Sequence, residues 1–228
     1  MIPALPVTLT PIRIAHPVSA PLQLHSLPLF PLGTVLFPGG VLPLKVFEVR
    51  YLDMISKCHQ IGAPFGVVTL TQGHEVQRPE APAEVFERVG TLARVGSLSR
   101  PQPGLLLIQC QGLQRFRIQH HQRLRHGLWV ADVDCLPDDT ATPVPDDLQG
   151  CASALVQVLG KLHERQPVET RPQPPQPREL ADAGWLANRW CELLPLAPAM
   201  KHRLMALDNP LVRLELVHDF LNRSGIAR

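Results

Sequence analysis

The stretch LPLFPLGTVLFPGGVLPLKVFEVRYLDM, Leu27–Met54, determines the fold that we expect for this chain. It predicts an apolar strand, a Pro-Gly-Gly turn, a short second strand and the start of a helix. Pro28 and Pro31 have no backbone N–H group, so we expect the first strand to lie at a sheet edge or to carry a bulge. Glu48 and Arg50 flank the corner between strand and helix, and we expect them to pair with each other or with backbone groups and fix that corner.

A helix is predicted over Val49–Ile61. Four apolar residues recur there at helical spacing and predict one buried face; they are Tyr51, Leu52, Ile55 and Cys58. Gly62 suits the terminating position, because glycine adopts the left-handed backbone conformation without strain.

Short segments in which apolar and polar residues alternate follow this helix. Alternation with period two is typical of strands with one buried face, so a half-buried antiparallel sheet or barrel is predicted for residues 24–136. The predicted strands are Phe65–Leu70, Glu84–Arg88, Thr91–Val95, Leu105–Gln111, Arg115–Gln119 and Leu128–Cys135.

The hydrophobic period becomes helical after residues 137–147, a Pro- and Asp-rich segment that we interpret as a linker. Residues 148–225 are expected to form a helical subdomain, interrupted by a Pro-rich loop at 167–178. Its first helix has an apolar stripe, which comprises Leu148, Ala152, Leu155, Leu159 and Leu162. Further helices are predicted over Glu179–Leu194, over Ala197–Leu207 and from Asn209-Pro210, a capping residue followed by proline.

The composition narrows the class of protein. The 228 residues include 25 prolines and five cysteines, and the net charge is +2. The balanced charge argues against a strongly electrostatic nucleic-acid or membrane binder. The odd number of widely spaced cysteines argues for a reducing compartment rather than a disulfide scaffold. No uncharged run approaches the roughly 18 residues of a membrane span, so we predict a cytoplasmic protein, with residues 1–23 as a mobile leader.

Sequence signatures of common catalytic sites are missing, among them GxxxxGK[ST], GxGxxG, GxSxG and HExxH. Cys58 and His59 are neighbours on the predicted helix and point about 100° apart, so they do not form a nucleophile–base pair. His120 and His121 would face opposite sides of a strand, which leaves only one of them to join His126. We therefore predict no catalytic residue, no metal site and no cofactor.

An ordered series of motifs runs through the chain. It comprises Leu27–Leu32 (LPLFPL), Leu36–Gly39 (LFPG), Pro43-Leu44, Phe47–Tyr51 (FEVRY), Phe65–Val68 (FGVV), Val89–Ala93 (VGTLA), Gly112 and Arg115–Ile118 (RFRI). With this series of motifs, the chain resembles the N-terminal, substrate-recognition domain of the Lon protease family, and the resemblance covers about residues 25–225. The resemblance implies an α+β fold, in which a β-rich, PUA-like pseudo-barrel precedes a C-terminal helical bundle. The family's proteases add ATPase and Ser–Lys peptidase modules, which this chain is expected to lack.

The resemblance implies binding rather than cleavage. We expect a non-catalytic module that recognises unfolded or exposed apolar polypeptide segments, as an adaptor or decoy in a protease, chaperone or other quality-control system. The expected peptide site is the loop at Phe37 with Phe47 and Tyr51 behind it, because extended peptides gain affinity from side-chain pockets. The alternative is that these three aromatic residues belong to the core.

A second functional hypothesis is an RNA-associated, PUA-like module. The stretch Leu113–Val130 contains four arginines and no acidic residue. Arg115 and Arg117 alternate there with apolar residues and predict a basic sheet face, for which a merely solvated face is the alternative. RNA binding through phosphates would weaken steeply with salt, whereas capture of apolar peptides would not. A ligand-binding protein or an enzyme is a third alternative, for which no residue pattern names a ligand.

Overall fold

The fold is α+β, as expected, with six strands followed by a group of helices. The computed structural model describes residues 21–76, 84–164 and 174–225. The strands are β1 (Gln23–Leu32), β2 (Val41–Val46), β3 (Phe65–Gln72), β4 (Val85–Gln102), β5 (Leu105–Arg123) and β6 (Trp129–Cys135). The helices are α1 (Val49–Ile61), α2 (Gln149–Glu164), α3 (Pro177–Leu180), α4 (Ala183–Leu193), α5 (Pro198–Ala206) and α6 (Pro210–Arg223).

The six strands form one sheet that closes on itself. Their order is β2-β5-β4-β3-β1-β6, and β6 also pairs with β5, so all strands except β2 form a ring. β2 pairs with residues 106–111 of β5, and β6 pairs with residues 116–123. Because β4 occupies the other edge of β5, β2 and β6 share one edge of that strand. β2 is therefore left with a free edge.

β1 is one of the strands that form the ring, with β3 on one side and β6 on the other, so the expectation of an edge strand is wrong. It pairs with β6 up to Leu29 and, in parallel, with β3 from Leu29 onward. Pro28 is thus paired only with β6, and Pro31 only with β3. Each proline therefore has one unpaired backbone side, where the lack of an N–H group breaks no hydrogen bond of the sheet. The predicted bulge is confirmed: the register against β6 shifts at Ser26, whose φ angle is 54°.

β4 and β5 are each longer than predicted, because each continues through a glycine that lies between two predicted strands, Gly90 in β4 and Gly112 in β5. A Cβ atom on Gly90 would lie 2.5 Å from Cζ of Phe116. A Cβ atom on Gly112 would lie 2.2 Å from the carbonyl oxygen of Phe37. These glycines mark places where another part of the chain approaches the strand closely, and the strand continues past them.

α1 has the predicted limits. Gly62 ends the helix with a φ angle of 67°. Arg50 Nε donates to Glu48 Oε2 at 3.1 Å, so the expected pair at the corner between β2 and α1 is confirmed. The inner face of α1 packs on an apolar cluster of the sheet; its buried apolar residues are Tyr51, Met54, Ile55 and Cys58.

The helical half begins with a short 3-10 helix, Asp146–Leu148, that leads into α2. Asn209 caps α6 as predicted, because its Oδ1 accepts from two backbone N–H groups of the first turn. The helix predicted over residues 179–194 is divided, since Asp182 caps α4 by accepting from the N–H of Trp185 at 2.7 Å. The apolar stripe of α2 is buried at its beginning and exposed at Leu162.

The segment 137–147, which we interpreted as a linker, contributes an ionic contact between the two halves. Asp139 accepts from Arg115 Nη2 at 3.1 Å and from Arg213 Nη1 at 2.6 Å. Arg115 belongs to β5 and Arg213 to α6, and both guanidinium groups are buried. Arg213 also donates to Asn188 on α4. The two halves are therefore packed together around this carboxylate.

Part of the predicted organisation lies outside the described residues, namely most of the leader at 1–23 and much of the Pro-rich loop at 167–178. Within the described residues, no helix combines the length and the apolar character that crossing a membrane requires.

Candidate functional site

The three aromatic residues of the predicted peptide site lie in different environments. Phe37 is 0% exposed and Tyr51 is 2% exposed, whereas Phe47 is 52% exposed. Phe37 packs into the apolar core of the helical half. The expectation that the loop at Phe37 presents an accessible aromatic ring is therefore corrected, because the helical half covers that ring.

The loop around Phe37 is also bonded to the helical half through its backbone. Arg189 on α4 donates to the carbonyl oxygens of Gly39 at 2.7 Å and Pro38 at 2.9 Å. The same guanidinium donates to Glu192 at 2.9 Å. With its backbone carbonyls engaged and its ring buried, this loop holds the two halves together and presents no accessible aromatic ring to a peptide.

Phe47 and Tyr51 line a small depression of about 270 Å³ beside the free edge of β2. Phe30 stacks on Tyr51 with ring centroids 4.0 Å apart and forms part of its wall. The free edge itself carries Pro43, which has no N–H group, and the charged Lys45. Proline and lysine are residues that protect sheet edges from pairing with another strand, so β2 is a poor acceptor for an added peptide strand.

The predicted basic face is not formed, because Arg115 is buried and paired. Its guanidinium donates to Asp139 and to the backbone carbonyls of Met205 and Leu207 at 3.2 and 3.0 Å. Arg117 is exposed on the same strand. The two arginines therefore do not offer a joint surface to phosphates.

A large apolar opening lies along one side of α1. We call it the α1 groove; its volume is about 610 Å³. Its apolar lining includes Pro28, Val49, Ile61, Pro64, Leu124 and Leu128. Val49 and Ile61, the first and last residues of α1, are 73% and 78% exposed. Aliphatic side chains this exposed beside a concave surface are typical of a site that is covered by a partner.

The walls of the α1 groove are tied to one another. One wall is α1 and another is the turn between β5 and β6, residues 124–128. Arg50 at the start of α1 donates to the carbonyl of Gly127 in that turn at 2.7 Å and to Glu84 at 2.9 Å. Glu84 also accepts from the indole N–H of Trp129 on β6. The buried Arg50 thus fixes the width of the groove.

Sequence analysis overlooked this groove, although its signal is present. Val49 lies outside the apolar stripe that predicts the buried face of α1, and Ile61 follows Cys58 by three residues at the very end of the helix. Aliphatic residues off the buried face of an amphipathic helix point to solvent or to a partner. Pro28 and Pro64 come from distant segments, and only the fold brings them to the same wall.

A Cys–His–Asn arrangement in the helical half was also not predicted. Cys151 Sγ lies 3.3 Å from Nδ1 of His218, and Nε2 of that histidine lies 2.8 Å from Nδ2 of Asn222. Cys151 is fully buried, and burial raises its pKa to about 11. A neutral thiol with no cavity beside it among the described openings is a packing contact rather than a nucleophile. The described residues also contain no group of three or more potential metal ligands that could hold an ion.

Comparison with known proteins identifies the family. A family model, the ATP-dependent protease La (LON) substrate-binding domain, matches residues 26–223. The chain belongs to this family. The Lon substrate-binding domain thus accounts for both the β-rich half and the helical half of the structure.

Two Lon proteases illustrate the extent of the similarity. Lon protease 2 of Myxococcus xanthus is 28% identical over 96% of this chain and 26% of its own length. The Lon protease of Anaeromyxobacter dehalogenans is 30% identical over 86% of this chain and 23% of its own length. The chain therefore spans about a quarter of these relatives. The structure of a Lon N-terminal domain protein from Xanthomonas campestris superposes with a TM-score of 0.61 at 29% identity, covering 86% of this chain and 98% of that one.

Proposed function

We propose that this protein is a non-catalytic polypeptide-recognition module that binds unfolded or exposed apolar segments in the α1 groove. The observation that carries the proposal is the apolar, open lining of this groove in a member of a substrate-binding domain family. The protein acts as an adaptor in cytoplasmic protein quality control, where it delivers such segments to a protease or chaperone.

The dimensions of the α1 groove fit a short extended segment. Val49 and Ile61 are separated by 12 helical steps, or about 18 Å at 1.5 Å per residue. An extended chain rises about 3.3 Å per residue, so roughly five residues span this length. Alternate side chains of such a segment would meet the apolar wall, while its backbone would stay accessible to water at the open side.

The absence of catalysis in this proposal is supported by the matched region. Residues 26–223 correspond to the substrate-binding domain of proteins that are about four times longer. The thiols of the described chain are buried, which disfavours the reactive thiolate. The module thus contributes recognition, and hydrolysis belongs to its partners.

The test uses substitutions at the two exposed ends of α1. Val49→Asp and Ile61→Lys place an acid in the first turn and a base in the last turn, where each charge favours the helix dipole. Binding is measured by fluorescence anisotropy with labelled α-lactalbumin, kept unfolded by reduction and carbamidomethylation. We expect the double variant to bind at least about tenfold more weakly, because burial of two aliphatic side chains is lost.

Val156→Asp is the matched control, since Val156 is an exposed valine on α2, away from the groove. It should bind the unfolded client like the wild type. Equal binding by the folded double variant and the wild type would exclude the α1 groove as the site.

A further inference from the structure

We propose that residues 5–9 of this chain, with the sequence LPVTL, bind in the α1 groove and compete there with the polypeptide segments that the groove takes from other proteins. This inference rests on the proposed function, because it concerns the regulation of the same site. Residues 1–20 lie outside the described residues. The inference is supported by the chemistry of the groove lining and by the place where residues 1–20 join the described chain.

Each charged residue that lines the α1 groove has an opposite charge close by. Lys57 and Asp53 both line the groove and lie one helical turn apart on α1. The buried Arg50 is bonded to Glu48 and Glu84 at 3.1 and 2.9 Å. A charged side chain entering the groove would lose its water without gaining a free counter-charge, which is costly. The groove therefore suits an uncharged, aliphatic segment.

The start of the chain contains such a segment. Residues 1–10, MIPALPVTLT, include no charged side chain. Leu5, Val7 and Leu9 alternate with Pro6 and Thr8, so the three aliphatic side chains share one side of an extended backbone. Five extended residues cover about 16 Å, which is close to the length of the groove along α1. Three aliphatic side chains can thus meet the apolar wall together.

The described chain starts close to the groove. Ser26 and Pro28 of β1 line the groove. Leu22 is four residues before Ser26, or about 13 Å along an extended strand. Residues 10–21 connect the segment 5–9 to Leu22, and a chain of that length has an r.m.s. end-to-end distance of roughly 20 Å. The segment can therefore reach the groove of its own molecule.

The connection also makes a weak contact effective. A short tether gives the attached segment an effective concentration in the millimolar range. A segment whose free dissociation constant is about 0.1–1 mM then weakens the apparent binding of a competing client by about two- to tenfold. Residues 77–83 and 165–173, which also lie outside the described residues, each contain acidic and basic side chains and match the lining less well.

A photo-cross-linker on the full chain tests the contact directly. Val7 is replaced by p-benzoylphenylalanine, and the cross-linked residues are identified by mass spectrometry in a mixture of ¹⁴N- and ¹⁵N-labelled protein. We expect cross-links within one molecule to α1 or to the turn at 124–128. Cross-links that join two molecules, or an absence of cross-links to the groove, would overturn the inference.

Client binding provides the second measurement. Val7→Asp/Leu9→Asp should bind labelled, unfolded α-lactalbumin about two- to tenfold more tightly than the wild type, because the charges keep the segment out of the groove. Ile12→Asp/Ile14→Asp is the matched control, with the same changes outside residues 5–9. It should bind the client like the wild type, and an equal gain in both variants would contradict a role of residues 5–9.

The two proposals fail in different ways. Equal client binding by Val7→Asp/Leu9→Asp and the wild type would overturn the competition by residues 5–9. The proposed function would then stand if Val49→Asp/Ile61→Lys still weakens client binding. Failure of the wild type and of both variants in residues 1–20 to bind the client would instead count against the proposed function.

Discussion

Arg213 donates to Asp139 at 2.6 Å, and the same carboxylate accepts from Arg115 at 3.1 Å. One carboxylate thus bridges two buried guanidinium groups, one from each half of the molecule, and Arg115 has a second, exposed ionic partner in Asp208 at 3.4 Å. Removing one partner of a buried ion pair leaves an uncompensated charge, which is costly. The two halves are therefore expected to unfold together.

Asp139→Asn should lower the free energy of unfolding by roughly 3 kcal/mol, because the buried Arg213 then lacks a counter-charge and Arg115 keeps only the exposed Asp208. Urea unfolding followed by circular dichroism measures the effect. The neighbouring Asp138 is exposed, so Asp138→Asn should change the stability by less than about 0.5 kcal/mol. Equal effects of the two substitutions would show that the buried arginines do not depend on Asp139.

Phe37→Ala is expected to destabilise the protein by about 3–5 kcal/mol, because it opens a cavity in the core. Phe47→Ala, at a half-exposed ring, should cost about 1 kcal/mol or less. Thermal melts of the two variants provide the comparison. A Phe37→Ala variant that melts like the wild type but no longer binds an unfolded client would restore the loop at Phe37 as the peptide site.

Stability should depend on pH through Glu192. Burial raises the pKa of this carboxyl group from its ordinary value of 4.5 to about 7, although Arg189 lies 2.9 Å away. The unfolded chain ionises at lower pH than the folded one, so stability from this group is complete below about pH 4.5 and is lost as the pH rises to about 7.

Glu192→Gln should remove this component. Between pH 5 and pH 7.5 the free energy of unfolding should therefore fall less in the variant than in the wild type, by on the order of 2 kcal/mol. Glu215→Gln, at an exposed position of α6, is the control and should follow the wild type. Identical pH dependence of the wild type and Glu192→Gln would contradict the raised pKa.

The cysteines should resist alkylation while the protein is folded. All five thiols are buried, and burial raises the pKa of Cys151 to about 11 and those of Cys110 and Cys191 to about 12. Since iodoacetamide reacts with the thiolate, mass spectrometry should find little modification at pH 7.5 in the native protein and complete modification in guanidinium chloride. Rapid native modification of Cys151 would show that its contact with His218 activates the thiol.

Features fixed by local sequence were predicted well. The limits of α1 follow from the spacing of its apolar face and from Gly62, and the start of α6 follows from Asn209 and Pro210. Each of these signals lies within a few residues of the structure it specifies. The predicted strands stop short of Gly90 and Gly112, because a glycine required by a distant neighbour looks the same in the sequence as a glycine that ends a strand.

Features that depend on contacts between the halves were not predictable from local patterns. In the sequence, Phe37 and Arg115 have the pattern of surface residues on a loop and a strand. In the structure, both are buried by the helical half, which follows them in the chain by on the order of a hundred residues. The α1 groove belongs to the same class, because its proline walls are contributed by separate segments.

The ring of strands has a consequence for the order in which a newly made chain folds. Gln23 of β1 and Asp134 of β6 are 111 positions apart, and their side chains bond at 3.0 Å in the finished structure. At a synthesis rate of about 5–20 residues per second, β1 waits roughly 5–20 seconds for this neighbour. During that interval the first half of β1 exposes backbone groups to any other strand nearby. Pro28 and the bend at Ser26 interrupt the part of β1 that pairs with β6, so they protect the nascent chain from pairing with a wrong partner before β6 emerges.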